Sequence, residues 1–200
     1  SKRYYPFGSL ASQVIGFVSD GTIGTGGIEQ YYNSTLSGVD GRKYKYLNEE
    51  LEQDSSIVEP ENGKTVVTTI DSNIQTLAED QLSKFEKKYG SKGSSILVMN
   101  PNNGEIYAMA NSTSYNLESP RDDKNLLKKY SQSQVNKMSE KEKTKAFNEI
   151  WKNPIVSNAF EPGSTYKPFT VAAGLEEGIL KGNETYYCDG YQKVGPHTIH

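Results

Sequence analysis

The sequence predicts a mixed α/β fold, in which amphipathic helices pack beside short antiparallel strands. Three observations predict it. A helical apolar repeat begins after Asp71, two strand-like segments joined by a turn follow within residues 94–111, and an apolar helix follows the Pro-Gly pair at 162–163. The chain has 200 residues, of which 34% are hydrophobic, so it can form one large or two small domains with a modest core.

The N-terminal part of the chain contains short segments. Residues 9–18 (SLASQVIGFV) predict a short strand and residues 21–27 a flexible glycine loop. Residues 28–38 predict a short helix that ends at its last glycine. Residues 42–62 are polar and charged, so we expect an exposed connection there.

The central part carries clearer signals. Residues 64–70 (KTVVTTI) have strand composition. Asp71 stands where a helix N-cap accepts backbone N–H groups, and Gly90 predicts the end of that helix. Its apolar face is predicted to consist of Ile74, Leu77, Ala78, Leu82 and Phe85. The segments SSILVMN and EIYAMAN, within 94–111, predict two strands joined by the tight turn PNNG.

Residues 118–152 differ in composition from the rest of the chain. They carry nine basic and six acidic residues with few large apolar ones, so we expect a solvated helical insertion, and a partner-binding surface is the alternative. Ser139 followed by Glu142 predicts a capping box for a helix over residues 140–151.

A serine and a lysine stand three residues apart in the segment EPGSTYKPFT, at the start of a helix predicted within residues 158–180. On a helix, Ser164 and Lys167 fall on one face, about 5–6 Å apart at Cβ. A serine hydroxyl needs a neighbour to remove its proton, and a lysine does so only when uncharged. The positive end of the helix dipole and burial in a cleft both disfavour that charge. The backbone N–H of Ser164 can donate to a developing oxyanion, so the segment predicts acyl transfer.

The residues around this pair have structural roles in the prediction. Glu161, Pro162 and Gly163 shape the turn before the helix, and Tyr166 packs sideways. Val171, Ala172 and Leu175 recur at helical spacing, and we expect the helix to end at Gly178. Ser-x-x-Lys by itself is common by chance, but it occurs with Ser-Asp-Asn and Lys-Thr-Gly motifs in penicillin-binding proteins and class A β-lactamases.

Given these residues, the chain resembles class B penicillin-binding proteins of Gram-positive type, close to the sporulation and division transpeptidases. Five ordered blocks carry the resemblance: RYYPFGSLASQVIG (3–16), GTGGIEQYYNSTLSGVDG (24–41), GKTVVTTIDSNIQ (63–75), ILVMNPNNGEIYAMAN (96–111) and WKNPIVSNAFEPGSTYKPFT (151–170). The resemblance implies a pedestal module over residues 1–62. It also implies the first part of a transpeptidase domain, an antiparallel sheet with helices on both faces, over residues 63–200.

The resemblance also implies a reaction. Ser164 would attack the penultimate D-Ala carbonyl of a peptidoglycan stem peptide with Lys167 as base, β-lactams would acylate Ser164, and no cofactor would be required for catalysis. Arg3 and Glu29 would form an ion pair that ties the pedestal together. A single-pass membrane anchor outside this chain, an extracellular domain, and contacts with a lipid II polymerase and division or sporulation proteins are further expectations.

Composition agrees with part of this interpretation. The net charge is -3 with both signs mixed, so nothing indicates nucleic-acid binding. No segment approaches the roughly 18 apolar residues of a membrane span. Ser1 is not a natural start, so we expect that the N-terminus has been cut.

Two motifs of the resembled family do not occur at their expected positions after Lys167. Neither Ser-x-Asn nor Lys-Thr-Gly follows Lys167, so we expect a fragment that is inactive in isolation and whose hairpin lacks neighbouring strands. Two alternatives stay open: a β-lactamase or β-lactam sensor, and a non-catalytic pedestal that acts as a scaffold.

A weaker cluster lies near the end of the chain. Cys188, His197 and His200 are its only cysteine and only two histidines, and thiolate with imidazole suits a structural zinc ion. Their spacing matches no standard zinc finger, a fourth ligand is missing, and the turn at Gly195-Pro196 would have to bring the histidines together. Unrelated loop residues are the alternative. A lone cysteine cannot form an internal disulfide.

Overall fold

A computed structural model describes residues 3–19, 21–47, 53–91 and 93–200, which fall into two compact units, Ser1–Asn158 and Ala159–His200. The first unit contains α1 (Ser12–Ile15), β1 (Phe17–Ser19), β2 (Ile23–Thr25), α2 (Gly27–Tyr31), α3 (Asn33–Leu36), β3 (Arg42–Leu47), β4 (Gln53–Val58), α4 (Ser72–Tyr89), β5 (Ser95–Met99), β6 (Ile106–Asn111), a 3₁₀ turn (Asp123–Lys128), α5 (Gln132–Lys137), α6 (Glu140–Trp151) and α7 (Pro154–Ser157). The second contains a 3₁₀ turn (Gly163–Tyr166), α8 (Lys167–Glu176), β7 (Gln192–Val194) and β8 (His197–Ile199). The mixed α/β prediction is therefore confirmed. No helix in the described ranges is long and apolar enough to cross a bilayer.

The segment predicted as a strand over residues 9–18 divides into α1 and β1, so that prediction was wrong. The break lies at Gly16, whose φ is 76° and where a Cβ atom would collide with the carbonyl group of Gly26. Ala11 also has a positive φ, of 52°, and its N–H donates to Glu79 Oε1 over 2.8 Å. Contacts with distant residues set this backbone, and the local apolar composition does not encode them.

The predicted glycine loop supplies strand β2, which pairs antiparallel with β1. The helix predicted over residues 28–38 is interrupted at Tyr32 and forms α2 and α3. Asn33 begins α3, and its Oδ1 accepts the N–H of Gly24 over 2.9 Å. This hydrogen bond connects α3 to β2, so the Asn33 side chain has a structural role.

Residues 42–62 were expected to form a connection, and they contain the hairpin of β3 and β4 instead. The two strands pair antiparallel from Arg42 with Val58 to Leu47 with Gln53. Residues 48–52 of the predicted connection lie outside the described residues. The expected exposure is confirmed, because every residue of β4 is exposed. Aromatic and basic residues alternate in β3, and this alternation is typical of a strand. The high overall polarity of residues 42–62 nevertheless led to the prediction of a connection.

Residues 64–70 do not form a strand, although their composition predicted one. Isolated bonds hold this segment instead: Thr69 Oγ1 donates to the carbonyl of Ile106 over 2.7 Å, and the N–H of Asp71 donates to the carbonyl of Tyr107 over 2.9 Å. Strand propensity reports how well side chains fit a pleated surface, so it yields a strand only where a continuous partner exists.

Helix α4 and the β5–β6 hairpin follow the prediction closely. The Asp71 carboxylate accepts the N–H groups of Asn73 and Ile74 over 2.8 and 3.0 Å, and Gly90 ends the helix with φ 63°. Strands β5 and β6 pair antiparallel. Helix α4 and the hairpin share one core. Its buried residues are Ala78 and Leu82 of α4 and Ala108 and Ala110 of β6, and Ile74, Ile96 and Val98 pack against them.

The buried face of α4 differs from the predicted one. Leu77 and Phe85 are 59% and 45% exposed, whereas Gln75 is fully buried. The Gln75 amide bonds both backbone groups of Met109: its Oε1 accepts the N–H over 2.8 Å, and its Nε2 donates to the carbonyl over 3.2 Å. The Gln75 side chain thus bonds Met109 as a neighbouring strand would. Its burial is tolerated because both its amide oxygen and its amide nitrogen are hydrogen-bonded.

The expectation of a solvated insertion over residues 118–152 was wrong in its main point. Helix α6 spans Glu140–Trp151 with a capping box between Ser139 and Glu142, as predicted. However, this segment supplies most of the larger core, which consists of Phe17, Tyr115, Leu117, Leu126, Val135, Ala146, Phe147 and Ile150. The charged residues cover the outer faces of short helices whose inner faces pack on Phe17, a residue about a hundred positions earlier.

Candidate active site

The predicted serine and lysine lie on one continuous helical element of the second unit. Ser164 is in the 3₁₀ turn, and Lys167 is the first residue of α8. The backbone N–H of Lys167 donates to the carbonyl of Ser164, which joins the two segments. The two residues are therefore one turn apart at the start of a helix, as the spacing predicts.

The turn before the helix is fixed by local bonds. Gly163 has φ 55°, a conformation that favours glycine. Thr165 bonds the carbonyl of Pro162 twice, through its Oγ1 over 2.6 Å and through its N–H over 3.3 Å. Tyr166 packs on Phe169, with 5.5 Å between ring centroids. These contacts hold the backbone of the serine without using its hydroxyl.

The groups needed for chemistry are accessible. Ser164 and Lys167 are exposed, and none of the hydrogen bonds among the described residues joins the serine hydroxyl to the lysine ammonium. The backbone N–H of Ser164 also has no backbone acceptor in the described part of the chain. A first-turn N–H of this kind can donate to an oxyanion, and bonds between catalytic groups often tighten only with substrate bound.

Helix α8 ends two residues before the predicted Gly178, at Glu176. Gly178 has φ 69°, and the carbonyl of Gly174 accepts the N–H groups of Ile179 and Leu180, each over 2.9 Å. Two of the apolar residues predicted on one face of this helix, Val171 and Leu175, are exposed.

The loop after α8 is organised by one carboxylate. Glu184 accepts the backbone N–H groups of Lys181 and Gly182 over 2.6 and 2.9 Å. These bonds to the charged form, that from Lys181 first, lower the pKa of the Glu184 carboxyl.

The predicted zinc ligands lie around the β7–β8 hairpin. Cys188 is exposed, His197 pairs across the strands with Val194, and the ring of His200 lies 6.2 Å from that of Tyr191. Gly195 turns the chain between the strands with φ 58°. Among the described residues, no three His, Cys, Asp or Glu side chains are grouped so that they could hold a metal ion. The zinc site stays a prediction.

The expected ion pair in the N-terminal module is present. Arg3 Nε lies 3.1 Å from Glu29 Oε1, and Glu29 is buried. Tyr5 lies beside it: its hydroxyl donates to Glu29 over 3.3 Å and accepts the N–H of Val18 over 3.0 Å. Burial and then the nearby carboxylate raise the pKa of Tyr5 to about 12.

Four buried amides lie at positions that the sequence did not predict to be buried: Gln13, Gln75, Asn111 and Asn125. The Gln13 amide donates to the carbonyls of Thr113 and Ile150, and Asn111 donates to Asn153 Oδ1 over 3.1 Å. Their only signal is a polar residue placed within an apolar repeat, which by itself does not identify a buried position.

Comparison with known proteins gives two family matches. Residues 94–200 match a family described as the penicillin binding protein transpeptidase domain, and residues 1–68 match one described as the penicillin-binding protein dimerisation domain. The boundary predicted at residue 62 stays a prediction.

Curated relatives match almost the whole chain. Stage V sporulation protein D of Bacillus subtilis is 31% identical over 199 residues, which are 97% of this chain and 27% of that protein. The peptidoglycan D,D-transpeptidase FtsI of Buchnera aphidicola is 32% identical over 185 residues, 92% of this chain and 28% of the relative. The probable peptidoglycan D,D-transpeptidase PenA of Neisseria gonorrhoeae is 30% identical and covers 99% of this chain, which spans 31% of its length. The chain thus spans less than a third of each of these relatives.

Solved structures give the same result. A peptidoglycan synthetase from Bifidobacterium adolescentis superimposes with a TM-score of 0.68 at 27% identity, and covers 99% of this chain and 32% of its own. Penicillin binding protein 3 from Mycobacterium tuberculosis, complexed with ampicillin, superimposes with a TM-score of 0.66 at 26% identity, and covers all of this chain and 36% of its own.

Proposed function

The chain belongs to the family of penicillin-binding proteins that carry a transpeptidase domain, and on this premise we propose that it is part of a peptidoglycan D,D-transpeptidase with Ser164 as the acylated nucleophile and Lys167 as its base. The observation that carries the proposal is the position of these two residues, one turn apart at the start of α8 within the matched domain. The names of the curated relatives support the same reaction class.

The proposed reaction is acyl transfer in two steps. Ser164 Oγ attacks the penultimate D-Ala carbonyl of a stem peptide while Lys167 takes the hydroxyl proton. The bond to the last D-Ala breaks, and Lys167 returns the proton to the departing amine. The amine of a second stem peptide then attacks the ester, and its proton passes through Lys167 back to Ser164. Water in place of that amine would give carboxypeptidase activity.

The chain's own backbone supports the first step. The N–H of Ser164 has no backbone acceptor among the described residues, so it can donate to the oxyanion that forms on the attacked carbonyl. No metal is needed for this route, because the lysine removes the proton and the backbone stabilises the charge. Further groups of the site would come from the Ser-x-Asn and Lys-Thr-Gly motifs of the whole protein, so we expect the isolated chain to be inactive.

The two alternative functions are less well supported. A β-lactamase or β-lactam sensor gives no reason for residues 1–68 to match a dimerisation domain. A purely non-catalytic scaffold gives no reason for residues 94–200, which contain Ser164 and Lys167, to match a transpeptidase domain. Contacts with a lipid II polymerase or division proteins, and anchoring in the membrane with the domain outside the cell, are compatible with the transpeptidase proposal and form part of it.

Labelling with fluorescent penicillin tests the proposal on the full-length protein that contains this chain. We expect the protein to label covalently and Ser164→Ala to abolish the label, because β-lactams acylate the nucleophile as substrate mimics. Ser157→Ala, at an exposed position of α7, is the matched control and should label normally. Label that survives Ser164→Ala would reject the assignment. Rapid loss of label with β-lactam hydrolysis would favour a β-lactamase.

A further inference from the structure

The hairpin of β3 and β4 has two strand edges with which no other described strand pairs. Residues 42–46 and 53–58, which form most of the hairpin, are all exposed. A hairpin of two strands is at best marginally stable in water, and a sheet usually needs a third strand or a packed face. Each of the two edges is therefore a place where a further strand can add to this sheet.

The two edges differ in charge. Strand β3 carries three cations, Arg42, Lys43 and Lys45, whereas β4 has the sequence QDSSIV with a single charged residue, Asp54. Lysines on an edge strand oppose the addition of another strand, and prolines and β-bulges do the same. Strand β4 contains no lysine and no proline, and its pairing with β3 shows no shift of register. The edge of β3 is therefore protected, and the edge of β4 is open.

One hydrogen bond indicates which backbone groups of β4 face outwards. Asp54 Oδ1 accepts the N–H of Ser55 over 2.7 Å, so this N–H bonds a side chain of its own strand. In an antiparallel pair, alternate residues direct their N–H and C=O groups towards the partner strand and away from it. The outward groups of β4 are therefore those of Gln53, Ser55 and Ile57.

Strand β4 is complementary to a second copy of itself. A two-fold axis at Ser55 sets the two serines opposite each other and Gln53 opposite Ile57, so that the outward residues exchange backbone hydrogen bonds. The same axis sets Asp54 opposite Ser56, where the carboxylate meets a hydroxyl group. No like charges within residues 53–57 are then opposed.

Strand β3 cannot pair with its own copy in this way. An axis at Tyr44 would set Lys43 opposite Lys45, and an axis at either lysine would set that lysine opposite itself. Like charges directly opposite each other destabilise a pair of strands. When two hairpins join through β4, the two β3 strands become the outer edges, and their cations oppose the addition of further copies. The assembly therefore closes at two copies.

We propose that β4 pairs with β4 of a second copy of this chain, antiparallel about Ser55, to form a four-stranded sheet with a β3 strand at each outer edge. The edge has six residues and is small beside a standard protein interface, so the association is reversible. The pairing requires neither Ser164 nor acyl transfer, and it does not rest on the proposed function.

Oxidative cross-linking of the 200-residue chain tests the pairing, in a Cys188→Ser background that removes the only cysteine. In two paired copies of Ser55→Cys, the cysteine Cα atoms would lie about 5.5 Å apart, which a disulfide spans. Lys45→Cys is the matched control, because Lys45 is the cross-strand partner of Ser55. Its two copies would lie three strand spacings apart, about 14 Å, which is too far for a disulfide. We expect Ser55→Cys to form linked dimers about tenfold faster than Lys45→Cys, or more.

Sedimentation without cross-linking gives a second measurement. The average mass of the unmodified chain should rise with concentration and level off at two copies. Ser55→Pro removes an outward N–H of β4 and should stay at the mass of one copy. Lys45→Pro removes the equivalent N–H from the edge of β3 and should associate as the unmodified chain does. Circular dichroism of both proline variants checks that they are folded.

Several results would overturn the inference. Equal cross-linking of the two cysteine variants would indicate random collision, cross-linking of Lys45→Cys alone would indicate contact through β3, and no cross-linking of either would leave β4 without a second copy as its partner. A mass that continues to rise beyond two copies would indicate an open-ended contact. In the full-length protein, Ser55→Pro should label with penicillin normally, so the pairing and the transpeptidase proposal can fail independently.

Discussion

Replacement of Phe17 by alanine should strongly destabilise the first unit, because this residue joins the N-terminal strands to the helical segment 118–152. Phe17 is 1% exposed, and its ring lies 5.9 Å from that of Tyr115 and 4.8 Å from that of Trp151. Truncation of a buried phenylalanine costs about 3–5 kcal/mol, a large part of the about 5–15 kcal/mol that stabilises a typical domain. With a urea slope of about 1–3 kcal/mol/M, a loss of about 3 kcal/mol moves the unfolding midpoint by about 1–3 M.

The chain supplies its own probe for this experiment. Trp151 is the only tryptophan, so its fluorescence during urea unfolding reports on the core that contains Phe17. Phe7→Ala is the matched control, since Phe7 is 70% exposed and its truncation should change stability by less than about 0.5 kcal/mol. If Phe17→Ala cost no more than Phe7→Ala, the N-terminal strands and the 118–152 segment would not share a core, and the packing argument would be refuted.

Three further predictions address a cap, a pH response and the metal. Asp71→Ala should cost about 0.5–2 kcal/mol in urea unfolding because α4 loses its N-cap, and Asp80→Ala on the exposed side of α4 is the control. The pKa of the Tyr5 phenol is raised in the folded state, so the folded state holds the phenol proton more tightly than the unfolded state does. The resulting contribution to the free energy of unfolding is fully present below the usual tyrosine pKa near 10 and declines as pH rises towards about 12. Tyr5→Phe should therefore lose less unfolding free energy over this pH range than the unmodified chain. An unchanged dependence of the unfolding free energy on pH would contradict the role given to the Tyr5 phenol. Metal analysis of the purified chain should show zinc that Cys188→Ser removes, and equal metal content in both proteins would eliminate the zinc hypothesis.

Local signals predicted the elements that local bonds determine. The N-cap at Asp71 and the capping box of Ser139 and Glu142 satisfy helix ends within three residues, so the sequence contains both partners. The β5–β6 hairpin and the turn before Ser164 are likewise built from neighbours. The start of α8, and with it the spacing of Ser164 and Lys167, could be predicted for the same reason.

The elements that were predicted wrongly depend on contacts between residues far apart in the sequence. The strand expected over residues 9–18 is broken where Gly16 meets the backbone of Gly26, and the strand expected over residues 64–70 has only isolated partners. The segment 118–152 looked solvated because its apolar residues are few, yet those few point to one side and meet Phe17.

The sequence alone was enough to predict the proposed reaction class and the two residues proposed for it, because a hydroxyl and an amine on one helical turn need only local geometry to be neighbours. Only the tertiary structure decided that Gln75 is buried while Leu77 is exposed, and that Phe17 shares a core with the segment 118–152. The physical reason is that burial and electrostatic neighbourhood depend on which surfaces pack together, and packing joins residues whose separation along the chain carries no periodic signal.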